Sequence, residues 1–160
     1  MAVALDVNKM ESNFATGHKS GDVRLWSLSS QKEINKASHL HSSQITCLKY
    51  TPDSTKIVTA SRSDGIIVMS EREFEVLHRL EHAELSIPSG NCKFTISHDG
   101  KYVAIGSTSG ILFIFNLALG DFVEAYDEKH TDAIIGVDWA PGSASTLATI
   151  DKNGFLFTWS

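Results

Sequence analysis

The feature that most constrains this chain is a repeat. Four segments share one form, a small polar turn, a glycine and then mostly apolar residues: Ser20–Trp26, Asp64–Ser70, Ser109–Phe115 and Asn153–Trp159. Their glycines, at 21, 65, 110 and 154, are spaced 44, 45 and 44 residues apart. A second marker keeps the same period: the polar turns Thr51-Pro52-Asp53-Ser54, Ser97-His98-Asp99-Gly100 and Ala140-Pro141-Gly142-Ser143. A unit of this length does not bury its apolar face alone, so copies must stack on one another.

Each unit reads as short strands. First strands are expected at Val3–Val7, Ile45–Tyr50, Cys92–Ile96 and Ile134–Trp139, and second strands at Asn13–Thr16, Lys56–Ala60, Tyr102–Ile105 and Thr146–Ile150. Third strands are the post-glycine runs, and more polar fourth strands fall at Lys32–Ala37, Glu75–Leu80 and Phe122–Tyr126. The total is fifteen strands, with no fourth strand in the last unit. β-Branched and aromatic runs broken by Gly, Pro, Asp and Ser at this spacing predict an all-β fold. The glycine before each third strand suits a tight hairpin, which needs a positive φ there.

Composition excludes several classes. With 42% hydrophobic and 21% charged residues in 160, the chain is expected to be globular. The apolar stretch around 111–119 is far short of the roughly 20 residues a membrane helix needs, and Met1–Met10 shows no secretory signal. Two cysteines, Cys47 and Cys92, are too few for a disulfide framework or a thiolate zinc site, which points to a reducing compartment. A net charge of −5 argues against nucleic acid as a partner, because phosphate contacts need a basic surface.

The repeat resembles the WD40 propeller, which has about 40–45 residues and four strands per blade. Trp26 and Trp159 stand at the plug position closing the third strand, where Ser70 and Phe115 replace them elsewhere. The Asp that follows the plug is missing, being Ser27, Glu71, Asn116 and Ser160. The family histidine before the first strand is matched by His41 and His130, and less well by His82, whose connection is longer. The resemblance implies a partial WD40-type β-propeller of about three and a half four-stranded blades, at 1–38, 39–81, 82–127 and 128–160. It also implies a structural hydrogen-bonded blade network. His130, Thr149, Asn153 and Trp159 would supply it in the last blade, with Asn153 in place of the family's Asp, and His41 and Trp26 would belong to such sets elsewhere.

A more specific resemblance is to the C-terminal propeller of the autophagy-related protein 16 family. It rests on Ala15-Thr16-Gly17-His18 with Arg24-Leu25-Trp26, on Ser61-Arg62-Ser63-Asp64, on the run Ser97 to Ser107, and on Glu128-Lys129-His130 with Val137 to Ser143. The long connection from Leu80 to Cys92 and the end just after the final Trp fit as well. This resemblance implies a non-catalytic cytoplasmic scaffold in autophagosome assembly, partnered by components of the ubiquitin-like lipid-conjugation machinery. Contact with the forming membrane would come through those partners rather than by insertion. An alternative keeps the fold and changes the assembly: a WD40 adaptor in trafficking, a ubiquitin ligase or RNA processing.

Reactive constellations are weak beside this. Seven histidines invite a hydrolase, but no Gly-x-Ser-x-Gly elbow occurs and His41 and His130 sit where blade histidines hold connections. His39 and His41 make at best a two-ligand zinc pair with no third donor adjacent. Gly17 with Gly21, and Gly106 with Gly110, read as turn and bulge glycines, since neither pair opens a helix or leads to the Gly-Lys-Ser/Thr of a phosphate loop. Arg24, Arg62, Arg72 and Arg79 are too scattered for a phosphoinositide site. No catalytic residue, cofactor or metal site is therefore expected. Partner docking is expected on loops, with Lys19, Arg62, Leu85, Ile87 and Lys152 as candidates and the 81–90 loop as the best patch. A final blade that stops after three strands leaves open edges, so the chain reads as an incomplete propeller that is either a fragment or closes by self-association.

Overall fold

The computed structural model describes residues 1–88, 93–142 and 145–160. The expected first strand at Cys92 and the turn residue Ser143 thus reach outside the described residues, as do Ser89 and Gly90 of the long loop. Among the described residues there are fifteen strands and no helix. They form three four-stranded sheets and one three-stranded sheet, all antiparallel where registers are defined: about three and a half blades of the WD40 type. The chain divides into two compact units, Met1–Arg79 and Leu80–Ser160.

In the first unit, β1 (Ala2–Val7), β2 (Asn13–His18), β3 (Val23–Ser27) and β4 (Glu33–Ala37) pair in chain order. So do β5 (Ile45–Tyr50), β6 (Lys56–Ser61), β7 (Gly65–Ser70) and β8 (Val76–Leu80). Polarity explains the order. The middle strands β6 and β7 are almost wholly buried, whereas β4 is exposed along nearly its whole length. A strand buried on both faces reads as a continuous apolar run, and an edge strand can stay polar. The two sheets meet through a core that includes Ala15, Leu25, Ile45, Leu48, Ile57 and Met69. Asp6 of β1 accepts a hydrogen bond from the Tyr50 amide of β5 at 2.8 Å.

In the second unit, β9 (Thr95–Ile96), β10 (Tyr102–Gly106), β11 (Leu112–Asn116) and β12 (Phe122–Tyr126) form one sheet. β13 (Ile134–Trp139), β14 (Leu147–Asp151) and β15 (Leu156–Trp159) form the other. Their shared core contains Ala104, Leu112, Ile114, Ile134, Trp139, Leu147 and Trp159. A matching polar tie joins them, from Thr95 Oγ1 to Asp138 Oδ1 at 2.8 Å.

The turn glycines behave as the hairpins require, with φ of +77°, +67°, +82° and +87° at Gly21, Gly65, Gly110 and Gly154. Gly21 and Gly110 have a second constraint. A Cβ at Gly21 would run into the carbonyl of His41, and one at Gly110 would stand 2.8 Å from that of His130. The connection to the next sheet lies directly on these glycines. Gly17 stands in β2 opposite the bulge of β1 between Ala2 and Ala4, and Gly106 stands in β10. A Cβ at these positions would collide with Ile45 and Ile134 of the adjoining sheet.

Candidate functional site

The registers identify equivalent positions more securely than the glycines do. Trp26 pairs with Phe14, Met69 with Ile57, Phe115 with Val103 and Trp159 with Leu147. The plug of the second sheet is therefore Met69 and not Ser70, the residue expected from glycine spacing. The ladder there runs one pair further, to Ser61 opposite Gly65, so the glycine sits one place later in the turn. Met69 is buried, while Ser70 turns to a hydrogen bond with Glu73.

Three of the four plugs stand ten residues after a threonine: Thr16, Thr59 and Thr149. In the last sheet the threonine hydroxyl is a junction. His130 Nε2 lies 2.6 Å from Thr149 Oγ1, Trp159 Nε1 donates to the same oxygen at 2.8 Å, and His130 Nδ1 lies 2.9 Å from Asp151 Oδ2. A carboxylate can only accept, so Nδ1 carries the proton; neutral Nε2 then accepts the Thr149 hydroxyl, whose lone pair takes the indole N–H. Every polar group in the chain of bonds is satisfied. The bond from His130 holds the Asp151 carboxyl below the usual carboxylate range, and the Phe155 and Asn153 amides add to this against the opposing effect of burial.

Asn153 does not take the place assigned to it from sequence. Its side chain is exposed, and its contribution is a backbone amide donated to Asp151 Oδ1 at 3.0 Å. The acid has moved from the turn to the end of β14, two residues after Thr149. Sequence reasoning missed Asp151 because it looked for the acid beside the glycine; the spacing from the threonine would have found it.

The first two sheets vary the theme. Trp26 Nε1 donates to Thr16 Oγ1 at 2.8 Å, and the imidazole on that oxygen, at 2.9 Å, is His18 from the hairpin of the same sheet. Burial lowers the His18 pKa, with Arg24 adding to the effect. His41 Nε2 lies 2.9 Å from Thr59 Oγ1, but its Nδ1 is 3.6 Å from Asp64 and makes no hydrogen bond. Burial lowers the His41 pKa to about 4 despite that neighbouring acid. Asp64 is occupied by the Ser42 amide, the Ser42 hydroxyl and the Ser61 hydroxyl, at 2.8, 2.8 and 2.9 Å. Burial raises its pKa, but these bonds outweigh that and the net shift is downward. The third sheet has no such set: Ile105 stands where the threonine would, and His82 packs its ring on Phe113 and Phe122 at 5.0 and 4.6 Å.

Asp151, His130 and Thr149 have the connectivity of a nucleophile, base and orienting acid. All three are buried, and the hydroxyl is already engaged by an indole. The chemistry that results is the satisfaction of buried polar groups, not attack on a substrate. Among the described residues, no group of three or more His, Cys, Asp or Glu is placed to hold a metal ion. No described helix is long and apolar enough to cross a membrane.

The docking candidates divide. Lys19, Arg62 and Lys152 are exposed on hairpin turns, as a binding loop requires. Leu85 is half-buried, and Ile87 is a core residue with only 1% of its surface exposed, so it cannot anchor a partner as expected. The apolar members of the 81–88 stretch serve packing more than display.

Residues 34–69 match the family model described as WD domain, G-beta repeat, which spans β4 through most of β7. The chain carries the WD40 repeat. Autophagy-related protein 16 of Arabidopsis thaliana is 30% identical over 145 residues, which is 91% of this chain and 28% of that protein. U3 small nucleolar RNA-interacting protein 2 of Homo sapiens is 30% identical over 116 residues, 68% of this chain and 24% of that one. The chain thus spans about a quarter of the length of these curated relatives. Among solved structures, the computationally designed Ika4 protein superposes with a TM-score of 0.80 over 99% of this chain and 90% of its own, at 15% identity. That likeness is one of fold.

Proposed function

We propose that this chain is a non-catalytic WD40 scaffold for protein–protein interaction that acts in autophagosome assembly and helps recruit the ubiquitin-like lipid-conjugation machinery. The observation that carries this is the 30% identity with autophagy-related protein 16 across 91% of the chain. The buried state of its histidine networks supports a non-catalytic role, because no substrate reaches Thr149. In this reading the chain works in the cytoplasm and reaches the forming autophagosome membrane through protein partners. The exposed turn residues Lys19, Arg62 and Lys152 are its candidate contacts.

The test is affinity purification of the tagged chain from starved and fed cells, beside an unrelated tagged propeller as control. Starvation-dependent recovery of conjugation-machinery proteins that the control does not recover supports the proposal. A second reading, an adaptor in an RNA-processing assembly, is favoured by the similarity to the U3 small nucleolar RNA-interacting protein. Recovery of ribonucleoprotein components in place of conjugation proteins would select it.

A further inference from the structure

The turn between β14 and β15 holds a reactive group that the histidine network leaves unused. Asn153 is followed by Gly154, and its carboxamide is exposed and makes no hydrogen bond among the described residues. The other described asparagines differ on both counts. Asn8, Asn13, Asn35 and Asn116 precede Lys, Phe, Lys and Leu, and each has its side chain in a hydrogen bond. Exposure at this position belongs to the hairpin itself. The matched turn residues Ser20 and Ser109 are exposed too, although the connection to the next sheet lies on their glycines.

An asparagine carboxamide is an acyl donor within reach of the next residue's backbone nitrogen, which makes it a chemically labile side chain. A Cβ on that next residue hinders the approach, and glycine has none. We propose that Asn153 is a site of spontaneous deamidation to aspartate and isoaspartate, gated by opening of the β14–β15 hairpin.

The Gly154 nitrogen, having lost its proton to hydroxide, attacks Cγ of Asn153. The Cγ–Nδ2 bond breaks, ammonia leaves, and a cyclic imide remains. Water opens the imide in either of two ways. Addition at Cγ breaks the bond to the Gly154 nitrogen and gives aspartate in an ordinary backbone. Addition at the main-chain carbonyl leaves the chain running through Cβ and Cγ, as isoaspartate. Overall, water is consumed and ammonia released.

The gate is a hydrogen bond. In the closed hairpin the Gly154 N–H donates to the Asp151 carbonyl at 3.0 Å, so the nucleophile is engaged. Asp151 also holds the turn through its side chain. Its Oδ1 accepts the Asn153 and Phe155 amides at 3.0 Å each, and its Oδ2 lies 2.9 Å from His130 Nδ1. His130 in turn rests on Thr149. The buried network therefore sets how often the Gly154 nitrogen comes free. The product acts back on the network, because isoaspartate adds a methylene to the main chain and shifts the amides that Asp151 accepts.

To test this, the intact chain is stored in heavy-oxygen water at neutral and mildly alkaline pH, beside the capped turn peptide Asp-Lys-Asn-Gly-Phe-Leu. Mass spectrometry of proteolytic peptides follows Asn153, and an isoaspartyl-specific carboxyl methyltransferase scores the isoaspartyl product. Expected at Asn153 are the mass change of amide-to-acid exchange, heavy oxygen in the product, and isoaspartate in excess over aspartate. The chain should react at least fivefold more slowly than the peptide, and both should quicken several-fold per pH unit. Thr149→Val, which removes the hydroxyl under His130, should raise the chain's rate at least threefold. Asn153→Gln should abolish the change. Urea below the unfolding midpoint tests the gate without a substitution, since it favours the opened hairpin. An unchanged Asn153 after the peptide has fully reacted overturns the proposal, and so does aspartate with no isoaspartate, which means direct hydrolysis. Equal rates in chain and peptide, or a rate indifferent to both urea and Thr149→Val, overturn the gate.

Discussion

In the β13–β15 sheet His130 lies 2.9 Å from Asp151 and 2.6 Å from Thr149; in the β5–β8 sheet His41 lies 2.9 Å from Thr59 but 3.6 Å from Asp64. Both rings are buried, and both come from the connection entering their sheet. What separates them is where the acid stands. Asp151 ends a strand, so the ladder fixes its carboxylate under the ring. Asp64 stands in the turn, where three donors from Ser42 and Ser61 draw it away. One ring has both nitrogens partnered and the other is left with a buried orphan. A hydrogen-bonded blade is therefore set by which element carries each group as much as by which groups are present.

Four measurements test this contrast. Trp159→Ala should cost about 3–5 kcal/mol in denaturant unfolding, because it empties a buried plug and removes a bond to Thr149. Trp26→Ala should cost less, its ring being half-buried; equal losses would mean that the two sheets do not differ at the plug. Next, His130→Ala should lose about 2–4 kcal/mol and His41→Ala about 1–2 kcal/mol, since the former breaks two satisfied bonds and the latter one. The reverse order would overturn the comparison.

The third measurement is pH dependence. His41 has a folded pKa of about 4, below its unfolded value of about 6.5. The unfolded chain therefore binds the proton first, and stability present above pH 6.5 is lost as pH falls toward 4. Between pH 7 and 4.5 this amounts to about 2 kcal/mol, and His41→Gln should flatten the loss. The carboxylates act later. Asp22, Asp64 and Asp151 are depressed in the folded state, so their contribution is lost only as pH falls below the ordinary carboxylate range. Asp22 is held at about 2, chiefly because it accepts the His39 amide.

The smallest effect comes from exchanging the two arrangements. Ser61→Asp with Asp64→Asn gives the β5–β8 sheet an acid at the strand-end position of Asp151 and removes the acid from its turn. Stability should change by less than about 1 kcal/mol, but the His41 pKa, followed by NMR, should rise by at least one unit. An unmoved pKa would show that strand position is not what separates the two rings.

Much of the fold was legible in the sequence because its signals are local. Turn glycines, alternating apolar runs and polar turns placed all fifteen strands, most of them to within a residue or two of their ends. The His130–Thr149–Trp159 set was also readable, since a threonine ten residues before a tryptophan reflects one hairpin's register. Three readings failed where a longer-range relation decided. Met69 and not Ser70 fills the plug, because the ladder and not the glycine sets the register. Asp151 and not Asn153 serves His130, because two positions near a turn differ in whether the strand holds them. Ile87 is buried although it sits in a long polar connection, since burial is set by tertiary packing that local pattern does not record.

A period of about 44 residues with glycine turns admits few folds other than repeated WD40-type strand units, so the blade was readable from local pattern. Which polar groups meet and which apolar residues are covered came only with the tertiary structure. Those outcomes depend on contacts between residues tens of positions apart, and local pattern carries no record of them.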